Sequence, residues 1–493
     1  MENVFLEVKG VKKSFGGVHA LRGVDFKVNA GEVVCLAGEN GCGKSTLIKA
    51  ISGVHNADEG EIIINGHTYK SLTPSDSMRE GIQVIYQDFS VFPNLTVAEN
   101  IAMNWQIQSG NKKISWKKTE EIARASMENL GVNLDLNLTV DRLSVANKQI
   151  VAICRALLDN AKLIIMDEPT TALTSKEVAH LFEIIRGLKK KGIAVVIVNH
   201  KLEEVYDIVE RISIIRNGKN VAEGPIAEFD AKRFIECMTG RQIENENYRP
   251  DNQNEKTIFQ VENLGCRGTF EGVSFSMKKG DILGITGLLG SGRGEIGETI
   301  YGITPPTSGK IIYDGTQIEI KNVGDAIRNG IGYVPEDRLT QGLFLEQSIG
   351  MNTVIAAIRN YRYRMALNYR RMRKSMLGWI DHLHIAAPAP DPMVKTLSGG
   401  NQQKVVLAKS LDSKPKILIL NGPTVGVDVG SKADIHKILR QLAREGICVI
   451  IISDDLPELE QNCNSIIIMN HGKMAGTLTS EDFPKLSDIL REC

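Results

Sequence analysis

Residues 33–46 read Val33-Val34-Cys35-Leu36-Ala37-Gly38-Glu39-Asn40-Gly41-Cys42-Gly43-Lys44-Ser45-Thr46 and run on into Leu47-Ile48-Lys49-Ala50. An apolar stretch of strand length leads into a glycine-rich loop, and the loop opens a helix. Glycines let such a loop turn its amide N–H groups around phosphates, and the positive end of the helix dipole adds to that attraction. In this pattern Lys44 reaches the β and γ phosphates of ATP and Ser45 ligates Mg²⁺, while Gly38, Glu39, Asn40, Gly41, Cys42, Gly43 and Thr46 complete the cradle. A chance glycine-rich turn is the competing reading, and the complete spacing disfavours it.

Working outward, Leu163-Ile164-Ile165-Met166-Asp167-Glu168 is an apolar strand with two carboxylates at its C-terminal end, where open α/β sheets bind their ligands. Alone, acidic residues after a strand more often cap a helix. Behind a phosphate loop, Asp167 reads as a Mg²⁺ ligand and Glu168 as the group that orients and polarises the attacking water. His200 follows the strand Ala194–Val198 and on its own is a bland turn residue; its place just past the strand that follows the carboxylates makes it a γ-phosphate contact.

The chain repeats itself. Gly31 recurs as Gly280, Gly38 as Gly287 and Gln87 as Glu336, all at one offset. Leu143-Ser144 recurs as Leu397-Ser398, Pro169-Thr170 as Pro423-Thr424 and His200 as Asp454 at a slightly longer one. One domain has been duplicated, with a short insertion or deletion between the two sets of landmarks. The boundary falls in the Asn-, Glu-, Gln- and Asp-rich stretch 241–256, which reads as a solvated linker between domains spanning 1–240 and 257–493. Within a copy, apolar bursts alternate with helical segments, the pattern of a parallel sheet wrapped by helices. Lys117 to Leu130 has apolar residues at helical spacing and reads as part of a separate helical subdomain.

Composition bounds the rest. With 42% hydrophobic and 24% charged residues the chain has ordinary globular material, and 493 residues exceed a single core. Basic and acidic residues total 59 each, so no net field draws the molecule to nucleic acid or an anionic membrane. Apolar runs such as Ile447–Ile452 are strand-length, far below the ~20 residues a spanning helix needs. The N-terminal residues lack the basic and apolar regions of a secretory signal, and the eight cysteines form no CxxC pair, so a cytosolic protein with free thiols is expected.

With these residues in hand, the chain resembles the ATP-binding cassette (ABC) ATPases along nearly its whole length. Leu397-Ser398-Gly399-Gly400-Asn401-Gln402-Gln403 is similar to the family signature, which closes over the nucleotide held by the partner domain. Gln87 matches the Q-loop glutamine, a metal and catalytic residue, His200 the switch histidine, and Phe15 the aromatic that stacks on adenine. The segments Leu143-Ser144-Val145-Ala146-Asn147-Lys148-Gln149, Glu336-Asp337-Arg338 and Val425-Gly426-Val427-Asp428-Val429-Gly430 resemble the fused double ATPases of bacterial ribose- and galactose-type importers.

That resemblance implies an α/β fold with two tandem P-loop domains, each a RecA-like parallel-sheet core with an antiparallel β subdomain and a helical subdomain. It implies ATP and Mg²⁺ as cofactors, and a head-to-tail sandwich with two composite sites. The implied role is the energy-coupling subunit of a monosaccharide importer on the cytoplasmic face of the membrane. Its partners would be integral-membrane permease subunits, expected as a dimer, and indirectly an extracytoplasmic sugar-binding protein, with no nucleic acid. The alternatives are a soluble tandem ABC ATPase acting on ribosomes or nucleic acid, disfavoured by the short linker, and a DNA-repair ATPase, which would need zinc modules or coiled-coil insertions.

The resemblance sorts the two sites. Site one joins Lys44, Ser45, Gln87, Asp167, Glu168 and His200 to Ser398, Gly399, Gly400 and Gln402 of the second copy, and every role is filled. Site two is depleted: Arg293 and Gly294 replace the lysine and the serine, Asn421-Gly422 replaces the carboxylate pair, Asp454 replaces the histidine, and the facing signature reads Ser144-Val145-Ala146. The importers usually keep the carboxylate pair, so hydrolysis is expected at site one only, with site two a structural or regulatory nucleotide pocket or empty.

Other features read as structural. Arg359, Arg362, Arg364, Arg370, Arg371, Arg373 and Lys374, interleaved with Tyr361, Tyr363 and Tyr369, read as a solvated helix face over a nucleic-acid or lipid-headgroup surface. Lys189–Lys191 read as a helix C-terminus, Trp105 and Trp116 as packing residues, and Cys42 as a small buried residue over a thiol of lowered pKa.

Overall fold

The computed structural model describes residues 3–86, 91–108, 114–170, 173–199, 206–242, 246–250, 252, 255–288, 290–364, 366–483, 486 and 489. The chain divides into two compact units, Met1–Ile243 and Glu244–Cys493.

In the first unit a six-stranded sheet runs in the order Lys219–Pro225, Arg211–Arg216, Val33–Ala37, Ala194–Val198, Leu163–Asp167, Ile82–Ile85. All neighbours are parallel except the outermost pair, Arg211–Arg216 with Lys219–Pro225. The three central strands are buried almost throughout, which explains their unbroken Val and Ile runs: both faces of the sheet are covered, so no alternate position is left for a polar side chain. Beside this core lies an antiparallel sheet of Val18–Asn29, Val4–Phe15, Glu59–Ile64 and His67–Tyr69. Its apolar face, with Leu6, Val8 and Phe26, shares one core with Val34, Leu36 and Val196 of the parallel sheet. The helical subdomain contains Val97–Gln108, Trp116–Leu130 and Val145–Leu158. Trp105 carries the Lys118 ammonium 5.0 Å above its ring. Trp116 corrects the packing reading: it is 58% exposed although it lies at helical spacing from the buried Thr119, Ala123, Ser126 and Met127, because it is the first residue of its helix and side chains lean toward the helix N-terminus, which carries its ring past the packed turns.

The second unit repeats the topology strand for strand. Its core sheet is Ile331–Val334, Ile417–Asn421, Cys448–Ile452, Ile282–Gly287, Ser465–Asn470, Lys473–Thr479, and its antiparallel sheet is Phe270–Lys278, Thr257–Cys266, Ser308–Tyr313, Thr316–Ile318. A two-stranded ribbon, Arg362–Tyr363 with Ala366–Leu367, is added in the helical subdomain. All seven basic residues of that segment are exposed.

The stretch read as a solvated linker is not solvated throughout. Tyr248 is 4% exposed, donates its hydroxyl to Gly280 O at 2.8 Å and joins the core of the second unit. A tyrosine can do this within a polar stretch because its ring packs while its hydroxyl finds a carbonyl. No helix among the described residues is long and apolar enough to cross a membrane.

Candidate nucleotide site

Strand Val33–Ala37 stops where Gly38 takes φ 152°, and a Cβ there would stand 2.3 Å from Ile215 O and 2.5 Å from Cys42 Sγ. At Gly43, φ 114°, a Cβ would stand 2.7 Å from Ala20 O. The loop therefore passes where only backbone fits, and Gly43 leads directly into the helix Lys44–Ile51. No side chain caps that helix, so the donors at its start are left for a ligand, as an anion site requires.

Lys44 is folded back into the loop, 7% exposed, with Nζ donating to Gly38 O at 2.7 Å and to Glu39 O at 2.9 Å. Ser45 and Asn40 are exposed at the loop surface and Thr46 is half-buried. Cys42 is buried, and burial pushes its thiol pKa up, against a smaller downward pull from Lys44. This excludes the lowered pKa considered above: loss of water outweighs the nearby cation.

Asp167 ends strand Leu163–Asp167, half-buried, and its pKa is raised by burial first and by Glu168 second, with Lys44 and Lys49 pulling it down. Two adjacent carboxylates held out of water beside a buried ammonium suit a divalent cation, and Ser45 starts the helix of the same Lys44. Glu168 has φ 47°, a left-handed conformation costly for a residue with a Cβ, and its amide donates to Val198 O at 2.9 Å. Strain of this kind concentrates at functional positions. Behind it, Asn199 Nδ2 donates to Thr170 Oγ1 at 3.2 Å, tying the ends of the two central strands together; the sequence offered no signal for this contact. Phe15 is exposed, with the His55 ring edge-on at 5.1 Å and Lys13 Nζ 5.5 Å from its centroid. Gln87 and His200 lie outside the described residues.

In the second unit Ser398 precedes helix Gly399–Leu411, and unlike Ser144 in the first copy its hydroxyl does not cap its helix. It is exposed and accepts from Asn401 Nδ2 at 2.9 Å. Gly400 is buried, and a Cβ there would meet Ser431 Oγ at 2.0 Å; this neighbour belongs to another helix, Val429–Arg444, and no motif announces it. Gln402 is turned inward, 8% exposed, with Nε2 3.5 Å from Val394 O, which sets it apart from the exposed Ser398. The difference lies in depth along the helix, not in its face: Ser398 stands before the first residue of helix Gly399–Leu411, while Gln402 lies about a turn further in, where the helix is buried.

The second phosphate loop keeps the glycine geometry, with φ 158° at Gly287, 79° at Gly290 and 88° at Gly292. Arg293 donates to Gly287 O, as Lys44 does to Gly38 O. Gly422 takes φ 57° and donates its amide to Ile452 O at 2.8 Å, the conformation and bond of Glu168 in the first copy.

Residues 21–171 and 270–425 each match the model of the ABC transporter family. The ribose import ATP-binding protein RbsA of Clostridium perfringens (strain SM101 / Type A) is 40% identical over 97% of this chain and 96% of its own length. RbsA of Geobacillus kaustophilus (strain HTA426) is 41% identical over 97% of each. A putative ribose/galactose/methyl galactoside import ATP-binding protein of the same organism is 38% identical over 98% of this chain and 96% of its own.

Proposed function

The chain belongs to the ABC transporter family, and from that premise we propose that it hydrolyses ATP as the energy-coupling subunit of a monosaccharide importer. The observation that carries the ATPase reading is the glycine-bound loop that holds Lys44 beside the Asp167–Glu168 pair at the C-terminal edge of a parallel sheet. The substrate class rests on relatives named as ribose import and putative ribose/galactose/methyl galactoside import ATP-binding proteins, matched across nearly the full length of both chains. On this reading the partners are permease subunits in the membrane, expected as a dimer, with a sugar-binding protein outside it, and the chain sits at the cytoplasmic face through the permease.

In the first site, the loop amides and Lys44 bind the phosphates, and Lys44 exchanges its two carbonyl partners for phosphate oxygens. Ser45, Asp167 and Gln87 would hold Mg²⁺, which when bound neutralises charge on the phosphates. Glu168 orients the attacking water and accepts its proton; its αL backbone and its amide bond to Val198 O keep that residue at the strand end. His200 is assigned to the γ-phosphate and Phe15 to the adenine. Ser398, Gly399 and Gly400 of the second unit complete the site. Domains 1–240 and 257–493, joined through 241–256, are the functional units.

Glu168→Gln, which keeps shape and removes the base, is expected to lower phosphate release by about 10²- to 10⁴-fold while nucleotide binding persists. Substantial residual turnover would defeat the single-site assignment. Copurification with a membrane permease supports the importer reading, and copurification with ribosomes or DNA overturns it.

A further inference from the structure

Lys44 and His200 of the first copy, two groups assigned to phosphate, correspond to Arg293 and Asp454 in the second. In the second unit these two residues hold each other. While one guanidinium nitrogen of Arg293 donates to Gly287 O, the other stands 3.2 Å from Asp454 Oδ2. The arginine is 17% exposed and the aspartate 73%, so the cation lies in the loop and the anion covers it from the solvent side. The protein's own carboxylate thus meets the cation that a phosphate would meet.

The neighbouring positions are filled in the same sense. Asn421 Nδ2 lies 3.3 Å from where a Cβ on Gly294 would stand, at the place of the Ser45 side chain in the first copy. An amide nitrogen donates hydrogen bonds and does not ligate Mg²⁺. At Gly422, where the first copy carries Glu168, a Cβ would meet Val425 Cγ2 at 2.9 Å and Glu336 Cγ at 3.1 Å. Glu336 stands at the position of Gln87 and replaces a neutral amide with a carboxylate. A triphosphate entering this loop would have to take Arg293 from Asp454 and leave that carboxylate facing phosphate oxygens.

We propose that the second phosphate loop is sealed by its own Arg293–Asp454 ion pair and takes no nucleotide, so that each chain holds one nucleotide, in the first loop. The loop's glycine conformations and the Arg293 bond to Gly287 O hold its phosphate-binding shape and do not involve Asp454. This inference rests on the ATPase reading of the first loop.

The test is equilibrium dialysis of the full-length chain against a non-hydrolysable ATP analogue with Mg²⁺. The wild-type chain is expected to saturate at one analogue per chain, Lys44→Ala at none, and Asp454→Asn at two, since Arg293 is then released to bind phosphate. Asp454 is largely exposed, so its substitution leaves the fold intact. A wild-type chain that saturates at two, a Lys44→Ala chain that retains one, or an Asp454→Asn chain that stays at one overturns the seal. A wild-type chain that takes up none overturns the ATPase reading instead.

Discussion

At the scale of single residues the two copies differ at positions where function costs stability. Glu168 and Gly422 share a left-handed backbone and the same amide bond to the neighbouring strand. The first copy keeps a side chain there, and the strain of roughly 1–2 kcal/mol with it; the second has glycine and loses both strain and carboxylate. Asp167 carries a related cost. Its folded pKa lies above the ordinary Asp value, because burial and the adjacent Glu168 disfavour its charge. Between the unfolded and folded pKa values the native state binds more protons, so stability falls as pH rises through that window and stays lower above it. Asp167→Asn is therefore expected to raise the melting temperature of the nucleotide-free protein at pH 7.5, with the gain fading as the pH falls toward about 4. Thermal melts at the two pH values check this, and an unchanged melting temperature at pH 7.5 would remove burial as the dominant cause.

At the scale of elements, the second helical subdomain hangs on one carboxylate. Asp412, just past the signature helix Gly399–Leu411, accepts from Tyr361 Oη at 2.7 and 2.8 Å, Ser375 Oγ at 2.9 Å and Trp379 Nε1 at 2.8 Å. Burial pushes the Tyr361 hydroxyl up to about 12, so it stays protonated and donates. Asp412→Ala strands three donors from two segments and is expected to destabilise by about 2–4 kcal/mol in urea unfolding. A loss within experimental error would show that water reaches the site. The helical spacing that marks Lys117 to Leu130 does not include Trp116, whose packing reading rests on its apolar type; as the helix's first residue it projects beyond the packed turns.

At the scale of the whole molecule, the assignment to test is that the second unit completes the first unit's site. Gly400 is a poor probe, since any side chain there collides with Ser431 in its own domain. Ser398 is exposed, and its hydroxyl does not cap the helix it precedes. Ser398→Arg is expected to cut ATP turnover by about 100-fold with an unchanged unfolding curve, and unaltered turnover would refute the shared site. The sequence by itself determined the duplication, the strand–loop–helix of each phosphate loop and the depletion of the second, because these rest on local spacing: a glycine loop, a strand ending in acid and a constant offset are all read along the chain. Tertiary structure alone decided that Arg293 and Asp454 pair, that Ser431 closes on Gly400, that Gln402 turns inward and that Tyr248 leaves its polar stretch for a core. The Arg293–Asp454, Ser431–Gly400 and Tyr248 contacts join residues distant in sequence, and the burial of Gln402 depends on how far along its helix the packing extends. A contact of that kind depends on how strands and helices pack, which no local pattern encodes.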